Sequence, residues 1–238
     1  MNLYLATPLA GGIICLILTV LLLKGSRGNP VRQTVLGFLF LTTVYDFALF
    51  SMRSSPDVSY AFTFEKLVLV MLTGAAVLFY HFSFYFSRIK LPKVLMPSLY
   101  LFLLVFIPLA YGGLIVSGIG SGAYGYVPIP GPLFFLSILG TYPFLIMAVV
   151  NLNKGYKVSQ SYEERNRYLY VAVGIFFNLI GSLLDVIPIF GVSIPPVGGS
   201  IGSIIFCIFT AVAILRFHLL DIHIVVRKGA AYLLTSSI

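Results

Sequence analysis

The stretch VGIFFNLIGSLLDVIP, residues 173–188, decides the class of fold. It holds one charged residue, and its small and polar residues recur every three or four positions: Gly174, Asn178, Gly181, Ser182 and Asp185. That spacing places them on one face of a helix and leaves an apolar surface elsewhere. A stripe of small and polar residues on an apolar helix typically faces other helices within a membrane. The stretch therefore predicts a membrane-spanning helix in a bundle.

The composition of the whole chain extends this prediction. Of its 238 residues, 59% are hydrophobic and 9% are charged, and the mean hydropathy is +1.03. A typical soluble domain is about one quarter charged, so lipid must be the solvent for most of this chain. Spans of about 20 apolar residues indicate helices, because a helix satisfies its own backbone hydrogen bonds in lipid. We predict an all-α, polytopic bundle of seven transmembrane helices, at residues 3–23, 34–52, 67–87, 94–116, 132–152, 168–188 and 199–217.

The positive charges indicate the orientation of this bundle. Of the 15 Lys and Arg residues, only Arg53 and Lys66 fall on the side that carries the loops 112–132 and 188–199. The remainder fall on the opposite side, in the first, third and fifth loops and after the seventh span. Cytoplasmic loops carry the excess of Lys and Arg, so the N-terminus is predicted outside and the C-terminus inside. The net charge of +8 therefore indicates membrane orientation rather than nucleic-acid binding.

Sequence motifs for catalysis, cofactors and metals are missing. The seventh predicted span has no lysine for a retinal Schiff base, and no Gly-rich phosphate loop occurs. Cys15 and Cys207 lie in apolar runs and are predicted to be small packing residues. His218 and His223 are five residues apart, whereas helical zinc pairs are typically four apart. We expect no catalytic residue, no cofactor and no metal site in this segment, and hence no enzyme.

Ionisable and polar residues within the spans are the candidate ligand-binding residues, because their burial in lipid is costly. Asp46 and Arg53 are seven residues apart in the second span, on the same face, so a contact between them, directly or through water, is the alternative to a ligand-binding role. Asn178 and Asp185 belong to the stripe of the sixth span, where helix packing is the alternative role. The full candidate set, all but Asn178 placed in the outer half of the bundle, is Tyr45, Asp46, Arg53, Asn178, Ser182 and Asp185.

The end of the seventh span forms a second functional candidate. The stretch AILRFHLLDIHIVVRK, residues 213–228, passes from apolar to charged, and its apolar residues keep helical spacing. Cations at a helix end can simply extend towards the lipid headgroups, which accounts for most of these charges. We assign signal transmission to Arg216, Leu219, Asp221 and Arg227.

Three motifs in the last third carry a resemblance to a known family. They are D-x-x-P-x-x-G at Asp185, Pro188 and Gly191, P-x-G at Pro196 and Gly198, and R-x-x-L-x-D-I from Arg216 to Ile222. Together they resemble the seven-helix N-terminal sensor region of prokaryotic histidine kinases. Related regions also precede other cytoplasmic output domains, such as cyclic-dinucleotide synthases. The resemblance implies an input module whose catalytic domain follows in the same polypeptide.

The resemblance divides the chain into two parts. Residues 1–217 are expected to form the sensor domain, and residues 218–238 a cytoplasmic juxtamembrane segment that is truncated before an output domain. The expected partners are the lipid bilayer, an unknown small-molecule or lipid ligand, the output domain in cis and, as a further candidate, a second copy of the chain in a homodimer. No nucleic-acid partner is expected. The expected location is the cytoplasmic membrane of a prokaryote.

Three functions therefore stay open from the residues. The first is a sensory module that binds a small or lipid-like stimulus in the outer half and passes a helix movement to the output domain. The second is a small-molecule transporter or channel, which would need polar residues reaching both faces. The third is a structural membrane anchor, in which the stripe of the sixth span serves packing alone.

Overall fold

The computed structural model describes residues 3–23 and 29–217. The helices in this part of the chain are α1 (Leu3–Leu23), α2 (Pro30–Ser54), α3 (Val58–Phe86), α4 (Leu95–Tyr111), α5 (Phe135–Leu139), α6 (Tyr142–Val158), α7 (Tyr162–Val186) and α8 (Gly198–Phe217). Every predicted span coincides with a helix, and the fifth is divided between the short α5 and α6. The all-α, polytopic membrane bundle is thus confirmed. Among the described residues, five segments are long and apolar enough to cross a membrane, and Leu95–Tyr111 and Gly198–Ile214 are shorter apolar helices.

Side-chain caps explain why several helices begin where they do. The Asn29 side chain accepts hydrogen bonds from the backbone N–H groups of Val31 and Arg32, and Pro30 occupies the first turn of α2. Asp57 caps α3 in the same way, and Ser161 caps α7. These side chains satisfy N–H groups that have no partner within the helix. As a result α2, α3 and α7 begin earlier than their apolar runs alone predicted.

The loop predicted at residues 112–132 contains a β-hairpin. Strand β1 (Val116–Gly122) pairs antiparallel with β2 (Gly125–Pro130), and two residues connect them. Helix α4 ends at Tyr111 rather than near residue 116, because Gly112 and Gly113 follow, the latter with a φ of 78°. The Tyr126 hydroxyl donates to the Ser55 carbonyl, which ties the hairpin to the α2–α3 turn. We call this end of the molecule the hairpin end and the opposite end, which carries Arg88 and Lys157, the basic end.

The helices close into a bundle in which the first packs against the last. Helix α7 packs against α8, α2 packs against α3, and α1 packs against both α2 and α8. The Sγ atoms of Cys15 and Cys207 lie 3.0 Å apart at the α1–α8 contact, and both cysteines are free and buried, as packing residues should be. The centre of the bundle is aromatic, with the Phe38 and Phe206 rings 5.0 Å apart.

The stripe on α7 faces α8, as predicted. Gly174 lies against Phe206, and a Cβ at Gly181 would overlap the Gly198 carbonyl. The side-chain amide of Asn178 donates to the Ser203 hydroxyl at 3.2 Å. In contrast, Phe176 and Phe177 are exposed on the surface of the bundle. Glycine brings the two backbones close together, as is common between membrane helices.

Candidate functional site

A cavity of about 100 Å³ lies at the hairpin end of the bundle. Its wall is built from α1, α2, α3, α5, α6, α7 and the residues that follow α7, and β2 covers one side. Most of the wall is apolar, and the polar residues that line it are Tyr4, Tyr45, Arg53, Glu65, Tyr126, Ser137, Thr141, Tyr142, Ser182 and Asp185. An apolar cavity with a few convergent polar groups is the usual form of a small-molecule site. Of the predicted candidates, the structure brings Tyr45, Arg53, Ser182 and Asp185 together here.

Arg53 joins three parts of the chain at the edge of this cavity. Its side chain is buried, Nη1 donates to the Tyr4 carbonyl at 2.9 Å, and Nη2 donates to the Pro196 carbonyl. The guanidinium also lies 4.5 Å from the centroid of the Tyr4 ring. Both terminal nitrogens are therefore engaged with the protein, and Arg53 connects α1 and α2 to the segment that precedes α8.

Asp185 caps the N-terminus of α8 from the end of α7. Its Oδ1 accepts from the Gly198 N–H at 2.7 Å and its Oδ2 from the Gly199 N–H at 2.9 Å. These are first-turn N–H groups, and a carboxylate there also interacts favourably with the helix dipole. The D-x-x-P-x-x-G and P-x-G motifs are thus two halves of one connection. Gly191 adopts a φ of 84°, which favours glycine, and the chain reverses between the helices there.

The hydroxyl groups around the cavity mostly bind the protein itself. Tyr142 donates to the Ser182 carbonyl at 3.1 Å, and the Ser182 hydroxyl donates to the Leu179 carbonyl. Thr141 pairs with Thr73, and Ser137 donates to the Phe134 carbonyl. Tyr45 lines both this cavity and a smaller one of about 20 Å³, which Asn178 also lines. Asn178 therefore sits beside the main cavity rather than in its wall.

A direct contact between Asp46 and Arg53 is absent. Asp46 is fully buried but lines neither cavity, and its carboxylate faces Gly11 of α1 and Ser200 of α8. A Cβ at Gly11 would lie only 2.9 Å from Asp46 Oδ2. Arg53 is two turns further along α2, about 10 Å along the axis, and its guanidinium points to backbone carbonyls instead. Asp46 is thus separated from the residues that the cavity assembles.

Glu65 is the charged residue of the cavity lining that the sequence prediction missed. It lies in the second turn of α3, is only 4% exposed and lines the cavity. The predicted span began at residue 67, so Glu65 was placed in a loop. The signal was present in the sequence, because Pro56 followed by Asp57 is a helix start with an N-cap. A span predicted from that helix start would have included Glu65.

The signal-transmission candidates are only partly covered by the structure. Arg216 belongs to α8, but its side chain is not among those described, and Leu219, Asp221 and Arg227 lie outside the described residues. Within residues 3–23 and 29–217, no group of three or more His, Cys, Asp or Glu side chains is arranged to hold a metal ion.

Comparison with protein families assigns the chain to a family of membrane regions. The family model described as the N-terminal 7TM region of histidine kinase matches residues 8–223. The chain belongs to this family. The histidine kinase 7TM region is a membrane-embedded sensory input module that is not itself catalytic. No curated protein and no solved structure matches the chain.

The matched residues include almost the whole lining of the cavity. Residues 8–223 include all of its polar lining except Tyr4. They also include the α7–α8 connection, where Asp185 and Pro196 reach the cavity wall. The family's bilayer environment agrees with the exposed apolar face of α4, where Leu101, Leu104 and Val105 lie on the surface.

Proposed function

We propose that this chain is the stimulus-binding input module of a prokaryotic sensor histidine kinase or a similar signalling protein. A small or lipid-like molecule binds in the cavity at the hairpin end, and the bound state is passed through α8 to an output domain in cis. The observation that supports this most directly is that the cavity is walled by the residues that position α8. Asp185 and Pro196 both line it, one capping α8 and the other held by Arg53.

A ligand changes the state of a receptor only if it binds the two states with different affinity. In this cavity an occupant contacts Asp185 and Pro196 together with α2 and α3, so separating these walls displaces the N-terminus of α8. Because α8 is a continuous helix from Gly198 to Phe217, displacement at one end is carried to the other. Residues 216–228 then transmit it to the cytoplasm.

The charge distribution supports an external position for the cavity. The hairpin end has few cations, whereas the loops of the opposite end are basic, and cytoplasmic loops carry the excess of Lys and Arg. In this arrangement residues 1–217 form the sensor and residues 218–238 the start of the cytoplasmic segment. Catalysis resides in the output domain, and pairing of two copies would bring two output domains together.

Filling the cavity tests this proposal without knowledge of the stimulus. Val68 is buried in the cavity wall, so Val68→Phe replaces free volume with side chain. The control is Val105→Phe, which adds the same atoms to the exposed face of α4. In the parent kinase, reconstituted in lipid nanodiscs, Val68→Phe is expected to change basal autophosphorylation several-fold and Val105→Phe to leave it unchanged.

Unchanged autophosphorylation in a correctly folded Val68→Phe variant would show that the cavity is not the input site. Uptake of solute or conductance by liposomes carrying the purified chain would instead support the transporter alternative. If wild type and both variants gave the same output under every condition tried, the chain would be a structural anchor.

A further inference from the structure

Glu65 is a buried carboxylate without a hydrogen-bond partner. The residue is 4% exposed, it lines the cavity, and its carboxylate makes no hydrogen bond to another described residue. The nearest compensation is electrostatic attraction to Arg53, whose nitrogens stay more than 4.0 Å from the carboxylate. Burial of a carboxylate without a partner is costly, and such groups are usually paired or bound to a ligand.

The neighbouring cations are committed elsewhere. Arg53 uses Nη1 and Nη2 on the carbonyls of Tyr4 and Pro196, and its Nε is sealed from the cavity. Lys66 places its Nζ 4.0 Å from the Phe62 ring centroid and does not line the cavity. Neither cation is therefore available to approach Glu65 from the cavity side.

The other polar groups of the cavity offer a ligand more hydrogen-bond acceptors than donors. The hydroxyls of Ser137, Ser182 and Tyr142 already donate to backbone carbonyls. Both Asp185 oxygens are occupied by the N–H groups of α8. With Glu65 and Asp185 opposed by Arg53 alone, the cavity wall carries more acidic than basic side chains. An anionic ligand would meet few free donors, whereas a cationic donor would meet an unpartnered carboxylate.

The shape and lining of the cavity restrict the rest of the ligand. Its volume of about 100 Å³ is below that of the engineered cavity of about 150 Å³ that holds benzene, so only a few heavy atoms fit. Leu49, Met52, Val68 and Leu69 provide apolar contacts, and tyrosine rings at Tyr45 and Tyr142 favour a cation.

We propose that the cavity binds a small organic cation, an ammonium group on a short apolar body, with Glu65 as its counter-ion. This inference rests on the proposed function, since it names the chemical class of the stimulus at the same site. It also explains why an unpaired carboxylate is kept in a buried position.

Propylammonium is a suitable probe, because it joins an ammonium group to three carbons and dissolves in water. We would measure its binding to the purified chain in nanodiscs by saturation-transfer NMR and by the shift in Tm. Propionate and 1-propanol serve as probes of the same length with a negative and a neutral head, and sodium chloride controls for ionic strength. The test variant is Glu65→Gln, which replaces the carboxyl group by an amide of the same size. The control variant is Glu164→Gln at the basic end, where Glu164 Oε1 lies 3.7 Å from Arg88 Nη1.

The expected result is saturable binding of propylammonium to wild type and to Glu164→Gln, weakened about tenfold or more in Glu65→Gln. Glu65→Gln without ligand should be at least as stable as wild type, because Glu65 makes no hydrogen bond to a described residue that the substitution would break. Glu65→Asp, which keeps the charge, should retain part of the affinity.

Three results of the binding measurements would overturn the proposal. They are equal affinity for propionate and propylammonium, equal affinity of Glu65→Gln and wild type for propylammonium, and no saturable binding of propylammonium. A marked fall in the Tm of Glu65→Gln would also overturn it, by making Glu65 a structural group. These outcomes leave the proposed function standing if Val68→Phe still changes kinase output. Conversely, a Val68→Phe variant with normal output rejects the input site itself, whichever probe binds.

Discussion

At the scale of single residues, the buried charges of the hairpin end have different roles. Arg53 and Asp185 are bound to backbone groups of the protein and hold the α7–α8 connection in place. Glu65 lines the cavity and makes no hydrogen bond to another described residue, and Asp46 is enclosed between helices. The cost of burying an ionisable group in a membrane is therefore offset by structure at the first two positions.

Substitution of Asp185 should destabilise the protein according to the number of capping hydrogen bonds that are lost. Asp185→Ala leaves two N–H groups of α8 without acceptors and should lower the free energy of unfolding by about 1–3 kcal/mol. Asp185→Asn keeps one acceptor oxygen and should fall between Ala and wild type. The measurement is thermal unfolding of the purified variants in one detergent. Equal stability of Asp185→Ala and wild type would contradict the capping role.

The sequence indicated four of the residues that line the cavity but not the contacts that they make. Asp185, Arg53, Ser182 and Tyr45 were identified because polar groups are rare in the spans. The alternative of a direct Asp46–Arg53 contact was wrong, because spacing on one helix face does not show which backbone carbonyls a long arginine side chain can reach. Those carbonyls belong to Tyr4 and Pro196, which are distant in sequence.

At the scale of elements, the contact between α7 and α8 depends on glycine. A Cβ at Gly181 would overlap backbone atoms of Gly198, and a Cβ at Gly202 would lie 2.6 Å from the Cα of Asn178. Backbone atoms cannot move aside as a side chain can. The distance between these helices is therefore fixed by residues without side chains.

Gly181→Ala should consequently be much more damaging than Gly37→Ala. At Gly37 an added Cβ would meet only the flexible end of Leu78, at 3.0 Å. We expect Gly181→Ala to lose about 1–3 kcal/mol of stability through overpacking and Gly37→Ala to lose clearly less. Thermal unfolding of both variants beside wild type measures the difference. Similar losses at the two positions would show that α7 and α8 can separate readily.

Helices were predicted from apolar periodicity more accurately than the elements between them. Residues 112–132 are rich in glycine and proline, which are depleted in strands, so the hairpin had no strand signal in the sequence. It forms because glycine permits the local backbone and because Tyr126 reaches the α2–α3 turn. Contacts of this kind exist only after the bundle has formed.

At the scale of the whole molecule, the orientation in the membrane is a prediction from charge. It can be measured with single cysteines in a chain in which Cys15 and Cys207 are replaced by alanine. Tyr124→Cys at the hairpin turn should react with a membrane-impermeant maleimide in intact cells, and Lys157→Cys at the basic end only after lysis. The reverse labelling pattern would show that the bundle has the opposite orientation, with the cavity on the cytoplasmic side.

The link that Arg53 makes between the beginning and the end of the chain has a consequence for biosynthesis. The two partners of its guanidinium are Tyr4 and Pro196, and the second is 143 residues further along. During translation α2 therefore enters the membrane with half of this arginine's partners not yet made. Ser200, which faces Asp46, is also synthesised late. Insertion of α8 and the segment before it thus completes the surroundings of charged residues that were inserted early. A nascent chain that stops before Pro196 leaves Arg53 and Asp46 without these neighbours.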